Sequence, residues 1–267
     1  MHSDKPIGIF DSGIGGLTVL KEIKHHLPDE NLIYFGDEAR FPYGIKSAET
    51  VTRFSREIAD YLVKKDIKML VVACNTATSV ALSTLRDSLD IPVIGVLMPG
   101  AYAAARATVT GRVGIIGTEG TVNSGVYARL IRNIRPGTEV FARACPLFVP
   151  MVEEGRTGGA ITELAASEYL APLKAEDVDT LVLGCTHYPL LKVVIASVMG
   201  QGVTLIDSAH ETAQEVGRVL KKTGLGNMPG SHTTIQYFVT DAPERFKTIG
   251  ERFLGYGIPS VEKAELS

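Results

Sequence analysis

Two cysteines of this 267-residue chain stand in matching phrases, Val71-Val72-Ala73-Cys74-Asn75-Thr76 and Val182-Leu183-Gly184-Cys185-Thr186-His187. Each ends a short apolar run with a thiol, and hydrogen-bonding side chains follow. A thiolate is a base and a thiol is an acid. One on each side of a carbon can therefore take a proton from one face and supply a proton to the other. That is acid–base chemistry at a stereocentre, and it demands no cofactor. A free thiol has a reference pKa of about 8.5, so such a base needs nearby N–H groups or a helix N-terminus. Each thiol heads a turn into a predicted helix, which brings backbone amides to the sulfur. The same amides, with Asn75, Thr76 and Thr186, can hold a carboxylate.

Other residues qualify by context. Asp11-Ser12-Gly13-Ile14-Gly15-Gly16 follows an apolar run and reads as a nest of backbone donors. It lacks the G-x-G-x-x-G spacing of a dinucleotide loop, and no ribose-binding acid follows it. Asp11 can orient an ammonium group or relay a proton beside the first thiol. His187, two residues after Cys185, is the natural acid–base partner of the second. Tyr43-Gly44, after Pro42, can offer a hydroxyl and an amide at a site rim. Glu153-Glu154-Gly155 reads by itself as a solvated turn. Cys145, before Pro146, reads as a small core residue. His2, His25, His26, His210 and His232 have no comparable context.

These residues need a scaffold that gathers strand ends. Ile7–Phe10, Leu32–Phe35, Lys68–Ala73, Ile91–Val96, Val203–Ile206 and Ile235–Val239 read as strands. Leu17–His26, Glu49–Lys65, 76–89 and about 210–222 read as helices. The segment 39–44 reads as a loop. Continuous apolar strands alternating with helices indicate an α/β fold of doubly wound parallel sheets, in which ligands bind beyond the carboxyl ends of strands. Val113-Gly114-Ile115-Ile116-Gly117-Thr118 echoes Ile7-Gly8-Ile9-Phe10-Asp11-Ser12, and each phrase precedes a thiol by a similar distance. Two α/β domains related by pseudo-two-fold symmetry are expected: residues 1–97 plus 207–267, and residues 98–206. Met98-Pro99-Gly100 marks the first crossing.

Composition narrows the function classes. Apolar residues make up 45% and charged residues 21%, as in ordinary globular proteins, and the net charge is −3. No cluster of Lys or Arg stands ready to neutralise phosphates, so no nucleic-acid partner is expected. Met1–Phe10 lacks a signal-peptide pattern, and no apolar run approaches the roughly 20 residues that span a bilayer. A cytoplasmic location is the simplest expectation, with no membrane partner. Three cysteines without C-x-x-C spacing favour neither disulfides nor a thiolate metal site, and no metal is expected.

Taken together, the phrases resemble those of the glutamate racemases of the aspartate/glutamate racemase family. The resemblance rests on Gly8–Leu17, Phe41-Pro42-Tyr43-Gly44, Ala73–Ala77, Pro99-Gly100-Ala101, Gly117-Thr118 with Thr121 and Ser124, Cys145–Pro150 with Glu153-Glu154-Gly155, and Gly184–Leu190. It implies two α/β domains, often as a homodimer, and cofactor-independent interconversion of L- and D-glutamate for peptidoglycan synthesis. It implies that Cys74 deprotonates D-glutamate and Cys185 deprotonates L-glutamate. Asp11 would assist the first thiol and His187 the second, with Glu153 close to the second. Ser12, Tyr43, Gly44, Asn75, Thr76, Thr118, Thr186 and His187, with Asp11, would line the substrate pocket. No Lys stands in a site phrase as a pyridoxal carrier would. A racemase of aspartate or another amino acid, or a non-catalytic amino-acid-binding protein, are the alternatives.

Overall fold

A computed structural model describes residues 4–266; His2 lies outside them. The chain divides into two compact units. One runs through Val96 and resumes at Ala209; the other is Leu97–Ser208.

The first unit begins with β1 (Ile7–Asp11), α1 (Leu17–His26), β2 (Leu32–Gly36), α2 (Ala48–Lys64), β3 (Met69–Val72), α3 (Asn75–Ser88) and β4 (Val93–Gly95). Every residue of these four strands is buried, as a parallel sheet covered on both faces requires. Val51, Ser55, Ile58 and Leu62 form the buried stripe of α2, and the Ser47 hydroxyl caps its N-terminus by accepting from Thr50 N–H. The segment expected to be a plain loop contains two 3-10 turns, Glu38–Arg40 and Tyr43–Ile45.

The second unit contains α4 (Leu97–Ala107), β5 (Arg112–Gly117), α5 (Glu119–Asn123), α6 (Val126–Ile134), β6 (Glu139–Ala144), α7 (Phe148–Glu153), α8 (Ala160–Ala175), β7 (Thr180–Gly184), α9 (Lys192–Met199) and β8 (Thr204–Asp207). Met98-Pro99-Gly100, expected to mark the first crossing, lies in the first turn of α4, the helix that opens the second unit. A proline costs little there, since first-turn N–H groups have no intrahelical partner. Gly100 allows close packing, because a Cβ would lie 3.3 Å from both Ser208 Cβ and Tyr127 Oη.

From α10 (Ser208–Thr223) the chain continues to β9 (Ile235–Val239), α11 (Pro243–Leu254) and β10 (Glu262–Lys263). β9 pairs with β2, so this stretch rejoins the first sheet. The sheet orders are β10-β9-β2-β1-β3-β4 and β6-β5-β7-β8, with parallel pairing throughout. The order β2-β1-β3-β4 recurs as β6-β5-β7-β8. Asp11 and Gly117 thus end equivalent strands, and Cys74 and Cys185 follow another equivalent pair.

Candidate active site

The first cluster of chemistry-bearing residues collects at the carboxyl ends of β1 and β3. Cys74 is the N-cap of α3, and its sulfur accepts from Ala77 N–H at 3.4 Å. Its thiol also lies 3.7 Å from Ser12 Oγ. Asp11 is fully buried, and its Oδ1 accepts from Gly13 N–H at 3.1 Å. The glycines of the turn have a steric purpose. A Cβ on Gly16 would lie 2.5 Å from Asp11 Cβ and 2.8 Å from Tyr34 Oη, so only glycine lets α1 start this close to the acid. Tyr34 holds the turn by donating to Gly13 O at 2.6 Å.

Helix-terminal amides were expected to favour the Cys74 thiolate. The structure corrects that balance. Burial pushes the thiol up to about 12, and the neighbouring Asp11 charge adds to the rise. The contacts from Ala77 and Ser12 oppose the shift but do not overcome it. Cys74 therefore carries its proton at neutral pH. Asp11→Asn removes one of the two raising causes, so the variant's thiolate should appear at lower pH. Mass-spectrometric mapping of Cys74 alkylation against pH checks this: the profile should move to lower pH, and an unmoved profile would show that Asp11 exerts no field on the sulfur.

Asn75 and Thr76 form the first turn of α3 and are buried beside the thiol. Tyr43 is buried in the same apolar cluster as Cys74, not at a rim, and its hydroxyl donates to Asp37. Gly44 follows in the same 3-10 turn and is also buried. Asp37 went unnoticed in the sequence. Its fully buried carboxylate also accepts from Arg40 Nε at 2.7 Å and Thr240 Oγ1 at 3.0 Å. It ties the Tyr43 turn to the sheet. The available signal was its position, one residue past the end of β2.

The second cluster lies at the carboxyl ends of β5 and β7. Cys185 Sγ is 3.9 Å from His187 Nδ1, and His187 Nε2 is 3.2 Å from Glu153 Oε1. Sulfur, imidazole and carboxylate thus stand in series, and the carboxylate holds the orientation of the ring. All three residues are buried. A solvated turn therefore describes Glu154 but not Glu153, which closes α7 facing inward. Unlike Cys74, Cys185 does not head an α-helix. A 3-10 turn, Tyr188–Leu191, intervenes before α9, with Pro189 in its first positions. Gly184 must be glycine, because a Cβ would sit 2.7 Å from Ile116 O on the adjacent strand.

Thr186 is buried next to the thiol. Thr118 caps α5, accepting from Thr121 N–H at 3.2 Å. Cys145 is fully buried, and its carbonyl accepts from Tyr188 Oη at 2.9 Å. That contact anchors the turn after Cys185 and fits the structural reading of Cys145. Tyr127, another residue the sequence did not single out, is buried beside Cys185 and Ser208.

The family model described as Asp/Glu/Hydantoin racemase matches residues 13–216. A glutamate racemase of Geobacter metallireducens is 56% identical over 98% of this chain and 97% of its own length. The crystal structure of glutamate racemase isoform RacE1 from Bacillus anthracis superposes with a TM-score of 0.96 at 42% identity, covering 99% of each chain. That of the Francisella tularensis glutamate racemase in complex with D-glutamate gives 0.92 at 39% identity, covering 99% of this chain and 98% of the other. Among the described residues no helix is long and apolar enough to cross a membrane.

Proposed function

Because the chain belongs to the Asp/Glu/hydantoin racemase family and is an isomerase of that family, we propose that it interconverts L- and D-glutamate through Cys74 and Cys185, without an added cofactor. The D-enantiomer would supply peptidoglycan synthesis. The same proposal takes the protein to be a cytoplasmic homodimer without a nucleic-acid partner. The observation that carries it is the repeated sheet order, which ends two equivalent strands in a buried thiol with a polar partner set.

The mechanism requires the two thiols to reach one α-carbon from opposite faces. Cys74 takes the proton of D-glutamate and Cys185 that of L-glutamate; the opposite thiol returns a proton. An α-proton flanked by a carboxylate is a very weak acid, so the developing carbanion needs fixed donors. Asn75, Thr76, Ser12, Tyr43 and Gly44 in one unit, and Thr118, Thr186 and His187 in the other, are assigned that work. Asp11 is assigned the substrate ammonium. Pairing Asp11 with a cation would cancel its field on Cys74, so substrate binding itself would ease formation of the base. On the second side, His187 accepts the Cys185 proton and Glu153 steadies the resulting imidazolium.

The test supplies L-glutamate and L-aspartate separately in deuterated water, followed by circular dichroism and proton NMR. L-glutamate should lose its optical signal and gain deuterium at Cα. Aspartate, one methylene shorter, should react about 10–200-fold more slowly. Faster turnover of aspartate, or racemisation that keeps the original hydrogen, would overturn the proposal.

A further inference from the structure

A second set of donor side chains lies in the first unit, apart from the residues assigned to the thiols. Glu22 and His26 are one turn apart near the end of α1, and His210 comes from the first turn of α10. One ligand atom from each lies within 4.8 Å of the others. Glu22 Oε2 is 3.2 Å from His210 Nδ1 and 3.8 Å from His26 Nδ1, and the two imidazole centroids are 4.9 Å apart. Atoms sharing one tetrahedral zinc ion lie ~3.4 Å apart, given bond lengths of about 2.1 Å. Small side-chain rotations close that difference.

Two further contacts orient the rings. His210 Nε2 is 3.0 Å from the side-chain amide of Gln214, one turn along α10, and Nδ1 faces Glu22; with the amide turned so that its oxygen accepts from Nε2–H, Nδ1 keeps its lone pair. His26 Nδ1 is also 3.0 Å from the Glu22 carbonyl oxygen, which holds the ring over this turn of α1. Partners that fix the far side of an imidazole are the usual companions of a metal-ligating histidine. The backbones are firm as well, since α10 packs against the end of α1: a Cβ on Gly217 would lie 3.3 Å from Leu27 Cδ2. The side chains of Glu22, His26 and His210 are 30%, 27% and 45% exposed, so solvent reaches the cluster and can complete a coordination shell. A carboxylate–histidine pair this exposed contributes little as an ion pair. Its convergence with a second imidazole matches ligation better than stabilisation.

We propose that Glu22, His26 and His210 bind a transition-metal dication, with Zn²⁺ the best fit to two imidazoles and one carboxylate, and that the ion ties α1 to α10. The site is independent of the racemase assignment. Cysteine thiolates also bind such ions, so the probe must tell nitrogen–oxygen ligation from sulfur. Co²⁺ does, because thiolate ligation adds an intense near-ultraviolet charge-transfer band.

Titrating the full chain with Co²⁺ should reveal one equivalent with visible d–d bands that does not depend on the thiols. That equivalent should raise the melting temperature. Glu22→Gln, His26→Gln and His210→Gln should each weaken it by at least about 100-fold, and Gln214→Leu by about 10-fold. Far-UV circular dichroism confirms that these partly exposed substitutions fold. Retention of wild-type affinity in the three ligand variants, or uptake only with the thiolate band, would overturn the site.

Discussion

Alanine at either Cys74 or Cys185 lowers the rate of racemisation by at least about 10³–10⁴-fold, the upper range for removing a positioned acid or base. Both side chains are small and buried, so the fold should survive with an ordinary core penalty, visible as a modest fall in Tm. The informative readout is which half of the reaction persists. With Cys185 removed, Cys74 can still exchange the α-hydrogen of D-glutamate with solvent on its own face, without inversion. With Cys74 removed, the residual exchange should favour L-glutamate. NMR of each enantiomer in deuterated water distinguishes the two variants. Exchange that showed no preference for enantiomer in either variant would remove the assignment of one face to each sulfur, and near-normal turnover would remove the two-thiol scheme.

Substitution of His187 by Gln has the second-largest expected effect, about 10²–10⁴-fold in kcat/KM. The imidazole joins Cys185 to Glu153, and Gln keeps a donor for the carboxylate but loses the titrating ring. Glutamate enantiomers have equal free energy in water, so kcat/KM must fall by the same factor from L and from D. The one-sided nature of the lesion has to appear elsewhere. Proton removal from L-glutamate, the step proposed for Cys185, should become more rate-limiting, and its primary deuterium isotope effect should rise relative to that from D-glutamate. Glu153→Gln should shift the same isotope effect in the same sense with a smaller loss of rate, because the imidazole remains but is less firmly held. Equal isotope effects from both enantiomers in His187→Gln would disconnect this histidine from the second thiol.

The parts of the site legible in the sequence are those that local chain chemistry dictates. A run such as Met69–Val72 has no polar face, so it is a buried parallel strand wherever it is placed, and the residue after it stands at a sheet end. The Asp11 turn and both cysteine phrases were visible for that reason. Elements with mixed faces were harder to read. Glu139–Ala144 is an edge strand with exposed residues, and Pro243–Leu254 lies in a stretch without a motif.

By itself the sequence determined the α/β architecture and the repeated phrases that end in Cys74 and Cys185, because strand periodicity and turn chemistry act over a few residues. Tertiary structure decided how each group behaves. Burial next to Asp11, not the helix N-terminus, governs the Cys74 proton. Long-range packing brings Thr240 to Asp37, and His210 to Glu22 across 188 positions. Proton affinity and ligand geometry depend on what surrounds a side chain, and those surroundings are assembled from distant segments only when the sheets and helices pack.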